Sequence, residues 1–143
     1  MTPVALVTGG ARGLGACIAR HLASEGYRVA VADRDLTQAK ATAQAIGPQA
    51  AGIALDVSSE DAMEEALDTV VRQFGLPWLL VNNAAVMKAE KVLDIGIDTF
   101  DAIMAVNLRG TFLASQRFAR RPGPSTHLRA HQTVLDLACR LPS

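Results

Sequence analysis

The sequence predicts an α/β fold built on a doubly wound parallel sheet, and three observations support that prediction. Short apolar runs alternate with longer amphipathic runs up to about residue 118, which is the pattern of successive β-α units. A glycine-rich turn follows the first apolar run. The apolar runs are nearly continuous, as in strands that helices cover on both faces. Right-handed connections would place four such units in one half of a doubly wound sheet.

The first two units are delimited by local signals. VALVTG is the first strand, and the helix LGACIARHLASEG follows it and is closed by Gly26. YRVAVAD is the second strand and ends at Asp33. Asp35 can cap a second helix that runs to about Ile46, where a Gly-Pro pair stops it.

The next two units follow the same logic. AGIALDV is the third strand, and Ser58 is expected to cap the third helix, with Asp61 in its first turn and Gly75 at its end. WLLVNNAA is the fourth strand. A fourth helix is expected from about Asp98 to about Phe118.

Composition indicates a soluble globular chain of 143 residues with no charge excess, so binding to nucleic acid is not expected. No apolar run is long enough for a secretory signal or a membrane span. Cys17 and Cys139 stand in no disulfide framework and no metal-ligand spacing. A cytoplasmic protein without a metal site is therefore expected, and both cysteines are interpreted as packing residues.

The first turn, TGGARGLG, is the candidate phosphate-binding site. Gly9, Gly13 and Gly15 let the backbone approach a pyrophosphate, and the N–H groups and dipole of the following helix face the negative charge. A merely flexible turn is the alternative. The position between a strand and a helix, with Asp33 ending the second strand, favours the phosphate site.

Several motifs in order resemble the short-chain dehydrogenase/reductase family over about residues 4–121. They are the glycine motif with Thr8, then Asp56, then NNAA at residues 82–85, and Asn107 within VNLRGTF. The resemblance implies a Rossmann-like sheet of strand order 3-2-1-4, incomplete beyond its fourth strand, which would then lie at the sheet edge. It implies hydride transfer between NAD(P) and a small alcohol or carbonyl substrate.

The resemblance also assigns the cofactor site. The cofactor-binding residues are Thr8, Gly9, Arg12, Gly13, Leu14, Gly15, Asp33, Asp56, Val57, Asn83, Ala84 and Ala85. Asp33 can accept hydrogen bonds from a ribose diol and would repel a 2′-phosphate, which favours NAD. Arg12 and Arg34 could clamp that phosphate, so NADP stays open, and solvated surface charge is the alternative for both arginines.

Asp56 and Asn107 carry alternatives, and Ala85 departs from the family's pattern. The resemblance implies that Asp56 and Val57 contact the adenine ring, and a turn or helix cap is the alternative for Asp56. Ala85 stands where the family more often has glycine. Asn107 falls in an apolar stripe with Ile103 and Phe100, so its amide needs hydrogen-bond partners. It is either a structural asparagine or, as the resemblance implies, the first member of an Asn-Ser-Tyr-Lys tetrad.

The other three tetrad members have no candidate in this chain. The sole tyrosine is Tyr27, and the last lysine is Lys91. Residues 117–143 hold five arginines and one acid, and residues 122–143 are expected to form a tail that is weakly helical or disordered and distinct from the domain of residues 1–121. Three hypotheses address it: a replacement with His127 or His131 as proton relay, a regulatory module without turnover, or a shifted reading frame, altered splice or premature end. The last is preferred.

The functional prediction follows from these points. The chain is expected to be an NAD(P)-dependent oxidoreductase of this family that binds NAD weakly and, alone, shows no measurable turnover. The alternative is a non-catalytic dinucleotide-binding or interaction module. Members of the family are usually homo-oligomers, and their subunits contact each other through the family's fourth and fifth helices. The family's fifth helix, which would follow a fifth strand, has no counterpart in this sequence, and this puts the assembly in doubt.

Overall fold

Four parallel strands form one sheet in the computed structural model, which describes residues 2–121. The strands are β1 (Val4–Thr8), β2 (Arg28–Asp33), β3 (Ala50–Ala54) and β4 (Leu79–Val81). Their order is β3-β2-β1-β4, with Ala5 of β1 opposite Val29 on one side and Leu79 on the other. The predicted fold class and the edge position of the fourth strand are confirmed for this part of the chain.

Five α-helices connect and cover these strands within residues 2–121. They are α1 (Gly13–Ser24), α2 (Leu36–Ile46), α3 (Glu60–Phe74), α4 (Ile97–Met104) and α5 (Thr111–Arg120). Asp35 caps α2 as predicted, because its carboxylate accepts the Gln38 N–H at 3.0 Å. A π-helical segment, Ala105–Gly110, joins α4 to α5, and these three segments together occupy the place of the predicted fourth helix.

The sheet separates two apolar clusters. Leu6 of β1 belongs to the cluster that contains Met63 and Leu67 of α3, together with Leu113 of α5. Its neighbour Val7 belongs to the other cluster, with side chains of α1 and α2. Alternate side chains of one strand thus face opposite helical layers, and the sheet is covered on both faces.

Some predicted boundaries were wrong. Ser59, not Ser58, caps α3, since the Ser59 hydroxyl accepts the Ala62 N–H at 3.3 Å. The third and fourth strands are shorter than predicted, because the backbone leaves the sheet after Ala54 and after Val81. Side chains of β4 are only partly buried, so the continuous apolar run overstated how fully this strand is covered.

The expected single helix from about residue 98 to 118 is three segments, with the π-helical turn in the middle.

Cys17 is exposed on α1, so its interpretation as a packing residue was wrong. Among residues 2–121, no helix combines the length and apolar character needed to cross a bilayer. Cys139, His127, His131 and the predicted tail lie outside the described residues.

Candidate functional site

A cleft of about 270 Å³ lies at the carboxyl end of the sheet, where the parallel strands give way to loops. The residues that line it are Gly9, Arg12, Asp33, Arg34, Leu55, Asp56, Val57, Asn83, Ala84, Ala85, Val86 and Val106. The loops after β1, β2, β3 and β4 all contribute. The fold therefore brings most of the predicted cofactor-binding residues into one wall, although the sequence separates them by up to 76 positions.

The glycine turn after β1 approaches the rest of the site closely. Gly9 and Gly13 have φ values of +62° and +55°, which favour glycine. A Cβ on Gly15 would overlap the carbonyl oxygen of Gly9. The side chain of Arg12 at the α1 N-cap makes no capping hydrogen bond, and the first turn of α1 holds no acid. No side chain there competes with an anion for the helix N-terminus.

Thr8 and Asn83 join the glycine turn to the loop after β4. The buried Thr8 hydroxyl donates to Val81 O at 3.2 Å and accepts the N–H groups of Asn83 and Ala84, each at 3.1 Å. Asn83 Nδ2 donates to Thr8 O at 3.1 Å and to Gly9 O at 2.9 Å. These bonds fix the two loops relative to each other, and they account for the Thr8 side chain structurally.

Asp33 presents its carboxylate at the end of β2, on the cleft wall. Its Oδ2 accepts the Ala11 N–H at 3.2 Å, and its Oδ1 accepts the Asp35 N–H at 3.1 Å. Each oxygen retains acceptor capacity, because a carboxylate offers about four lone-pair sites. The half-buried carboxylate is therefore oriented by the backbone and can still accept hydrogen bonds from a ligand.

Two arginines share the wall with that carboxylate. Arg12 and Arg34 both line the cleft and both are exposed. Among the described residues, neither makes an ion pair within 4.0 Å. The structure thus places them where a phosphate could be reached.

Asp56 is held in a tight turn at the cleft floor. Its Oδ1 accepts the Ser58 hydroxyl at 2.6 Å and the Ser58 N–H at 2.9 Å. These two hydrogen bonds lower the pKa of the Asp56 carboxyl, with a smaller contribution from the positive charge of Arg34 and against the effect of burial. The turn role predicted as one alternative is present, and the carboxylate also lines the cleft.

Asn107 lies on the π-helical segment, and its side-chain amide makes two hydrogen bonds with the backbone of Val86. Asn107 Oδ1 accepts the Val86 N–H at 2.8 Å, and Asn107 Nδ2 donates to Val86 O at 2.9 Å. Asn107 and Phe100 are exposed, so their expected place in a buried apolar stripe was wrong, whereas Ile103 is partly buried. Its amide nevertheless has the partners that the sequence argument required.

The cleft also contains residues that the sequence analysis missed. Leu55, Val86 and Val106 line it with apolar side chains, and the only sequence signal for them is their proximity to the motifs. Gly10 is buried, and a Cβ there would lie 3.0 Å from Val31 Cγ1. Four predicted residues do not line the cleft: Thr8 lies at the end of β1, and Gly13, Leu14 and Gly15 lie in the first turn of α1.

Comparison with known proteins places this arrangement in a family. A family model described as short chain dehydrogenase matches residues 3–122. The chain belongs to the short-chain dehydrogenase family over that range, which confirms the resemblance and its predicted extent.

Curated relatives support the same conclusion. The chain is 40% identical over 116 residues to a sorbitol dehydrogenase of Cereibacter sphaeroides, covering 81% of this chain and 45% of that protein. It is 37% identical over 121 residues to a D-threitol dehydrogenase of Mycolicibacterium smegmatis, covering 82% of this chain and 46% of the relative. The chain thus spans about half the length of the curated relatives it matches.

Solved structures agree with the fold. A 3-ketoacyl-(acyl-carrier-protein) reductase from Brucella melitensis, complexed with NADH, is 34% identical, with a TM-score of 0.78 over 80% of this chain and 48% of that chain. A sorbitol-6-phosphate 2-dehydrogenase from Erwinia amylovora is 38% identical, with a TM-score of 0.76 over 80% of this chain and 47% of that chain.

Proposed function

We propose that the cleft binds the adenosine diphosphate half of a nicotinamide dinucleotide, with NAD preferred over NADP. One observation carries this proposal: the Asp33 carboxylate is held on the cleft wall by two backbone N–H groups and keeps capacity for further hydrogen bonds. A ribose diol suits such an acceptor, whereas a 2′-phosphate would be repelled by it.

The remainder of the site fits the same ligand. The N-terminus of α1 carries no capping side chain and no first-turn acid, which suits a pyrophosphate. The predicted binding residues Thr8, Gly13, Leu14 and Gly15 would act through the backbone of that turn. Asp56 and Val57 would border the adenine. The NADH complex of the Brucella melitensis reductase supports the ligand class.

The opposing candidate ligand is NADP, and it is favoured by the two arginines. Arg12 and Arg34 line the cleft beside Asp33, and a guanidinium can bind a phosphate through two parallel hydrogen bonds. The 2′-phosphate would have to lie near Asp33 to reach them. The charge repulsion from that carboxylate is the reason that NAD ranks first.

Calorimetric titration with NAD+ and NADP+ tests the ligand. Wild-type chain is expected to bind NAD+ more tightly than NADP+. Asp33→Asn should weaken NAD+ binding about tenfold, equivalent to about 1.4 kcal/mol, and narrow the difference between the two ligands. Asp35→Asn is the matched control, since asparagine caps a helix as well as aspartate does and residue 35 does not line the cleft. Tighter binding of NADP+ by the wild type would overturn the assignment.

As to activity, we propose that the chain is an oxidoreductase of its family that cannot turn over alone. The bound nicotinamide would supply hydride chemistry, toward an alcohol or carbonyl compound as the names of the relatives suggest. Asn107 is the tetrad member present, while a Y-x-x-x-K motif does not occur in the printed chain. Residues 1–121 would form the binding domain, and residues 122–143 a separate tail.

A turnover assay separates this proposal from the non-catalytic module. Purified chain is incubated with NAD+ and secondary alcohols, or with NADH and ketones, and absorbance at the nicotinamide band is followed. No turnover together with saturable NAD+ binding is expected. Sustained turnover would refute the inactive state.

We further propose a cytoplasmic location, on the grounds that the chain has two cysteines and no disulfide framework.

A further inference from the structure

Six charged side chains alternate in sign between α3 and residues 109–121, which comprise the end of the π-helical segment, α5 and its C-cap Arg121. Successive ion pairs join Arg109, Glu60, Arg117, Glu64, Arg121 and Asp68, at 3.0, 3.0, 3.4, 2.7 and 2.6 Å. We call these residues the charge ladder. Its three acids are four residues apart, so they form one row along α3.

The ladder is partly shielded from solvent. The side chains of Arg117 and Arg121 are 23% and 25% exposed. Arg117 Nε is buried and lies 3.4 Å from Glu64 Oε1 without a hydrogen bond. The other four side chains, Arg109, Glu60, Glu64 and Asp68, are 43–52% exposed. Isolated surface ion pairs contribute little, but pairs that share carboxylates in a network contribute more. The ladder therefore links α5 to α3 along one row.

One end of the ladder reaches the wall of the cleft. Arg109 Nη1 donates to Ser58 O at 2.5 Å, while its Nη2 contacts Glu60. Ser58 in turn donates its hydroxyl and its N–H to Asp56, which lines the cleft. A single guanidinium thus connects the π-helical segment with both the start of α3 and the Asp56 turn.

Backbone packing reinforces this connection. Gly110 is buried, and a Cβ there would lie 2.8 Å from Val57 Cγ2 and 3.2 Å from Val57 O. On the same segment, Asn107 clasps Val86. π-helical turns are rare and are often found at functional sites. The segment therefore contacts two residues of the cleft wall, Val57 and Val86, and Arg109 adds a charged contact with Ser58 beside the wall.

We propose that Arg109 and Glu60 are positioning residues for the nucleotide, holding the Asp56–Ser59 turn and the Ala105–Gly110 segment in a fixed relation. The inference rests on the proposed function, because its readout includes NAD+ affinity. Neither side chain lines the cleft, so each acts through Ser58, Asp56 and Val57. Removing either contact would let the turn and the segment move apart and widen the wall.

Three variants test the proposal. Arg109→Met removes the guanidinium, and Glu60→Gln removes the charge that it faces. Asp68→Asn is the matched control, because it removes one acid of the same ladder at the end far from the cleft. The Kd for NAD+ should rise about fivefold in the first two variants and less than twofold in the control, measured where each protein is fully folded.

Hydrogen exchange supplies a readout that does not need the ligand. Backbone amides of residues 57–59 and 105–110 should exchange several times faster in Arg109→Met and Glu60→Gln, and those of β1 should not change. A role confined to global stability would instead speed exchange throughout, with equal effects in Asp68→Asn. That result, or unchanged exchange in both regions, would overturn the inference.

The outcomes separate the two proposals. If the wild-type chain binds no NAD+, the proposed function fails, and local exchange alone decides whether the ladder positions the segment. If the wild type binds NAD+ and both cleft-end variants bind equally well, the ladder proposal fails. Unfolding of both variants at 25 °C would also reject it, since the ladder would then be a requirement of the whole fold.

Discussion

Thr8 and Asn83 are joined by two hydrogen bonds across 75 positions of sequence: the Thr8 hydroxyl accepts the Asn83 N–H at 3.1 Å, and the Asn83 amide donates to Thr8 O at 3.1 Å. The same hydroxyl also accepts the Ala84 N–H and donates to Val81 O. One buried oxygen thus connects the end of β1 with the end of β4 and with the loop after β4.

Replacing Thr8 with valine should destabilise the protein by about 2–3 kcal/mol, because three backbone groups lose their buried partner. The shape of the side chain is retained. Thr42→Val is the control, since the buried Thr42 hydroxyl makes one bond, to Ala11 O at 2.6 Å, and should cost about 1 kcal/mol. Urea unfolding measures both. Equal losses would show that the Thr8 bonds to the loop after β4 contribute nothing.

Replacing Gly15 with alanine should destabilise the protein by about 3 kcal/mol, because the new methyl group would overlap Gly9 O and lie 2.5 Å from Asn83 Nδ2. It should also displace the turn. Gly96→Ala is the control, because nothing lies within 4 Å of a Cβ there and φ is −72°. The control should change stability by less than about 1 kcal/mol. Thermal unfolding and exchange of the Gly9 amide test the pair, and a stable Gly15→Ala protein would contradict the close contact.

Replacing Asn107 with alanine should release Val86 from the π-helical segment. The loss of two backbone hydrogen bonds at an exposed site should cost about 1 kcal/mol, and the Val86 amide should exchange faster. Asn82→Ala is the control, because Asn82 makes one hydrogen bond, to Ser115 Oγ at 3.1 Å. The idea fails if exchange at Val86 is the same in the two variants.

Acid should weaken the Asp56 turn. Hydrogen bonds from Ser58 hold the pKa of the Asp56 carboxyl below its ordinary value of 3.8, so the ionised form stabilises the fold above that pH. The contribution is lost as the pH falls below 3.8 through the folded-state pKa. In Ser58→Ala the pKa should rise toward 3.8, as read from the carboxyl carbon resonance of Asp56. Ser24→Ala is the control, because the Ser24 hydroxyl donates to His21 O, and this variant should leave the pKa of Asp56 unchanged. An unchanged pKa of Asp56 in Ser58→Ala would show that the Ser58 hydroxyl does not lower it.

Much of this fold could be predicted from the sequence because its signals are local. Apolar runs, the Asp35 cap and the glycine turn each depend on a few neighbouring residues. The place of Asp33 on the cleft wall could be expected for the same reason, since it stands where a recognisable strand ends. The strand order came from the family resemblance, and the pairing of β1 with β2 and β4 confirms it.

The errors arose where neighbouring groups compete. Ser58 and Ser59 are equally suited to cap a helix, but Asp56 accepts the Ser58 hydroxyl and leaves the cap to Ser59. Asn107 was assigned to an apolar stripe on a regular helical period. The π-helical turn rotates residues beyond Met104 relative to a regular α-helical period. The two hydrogen bonds of Asn107 go to backbone atoms of Val86, and backbone atoms have no sequence signature.

The bonds between Thr8 and Asn83 also constrain the order of events during synthesis. The glycine turn leaves the ribosome early, yet Asn83, which bonds to it, stands just after β4 and is translated some 75 codons later. A nascent chain can therefore form these hydrogen bonds to the glycine turn only after residue 84 has left the ribosome. If the cleft binds NAD as proposed, nascent chains that end before Asn83 should bind added cofactor more weakly than the 143-residue chain.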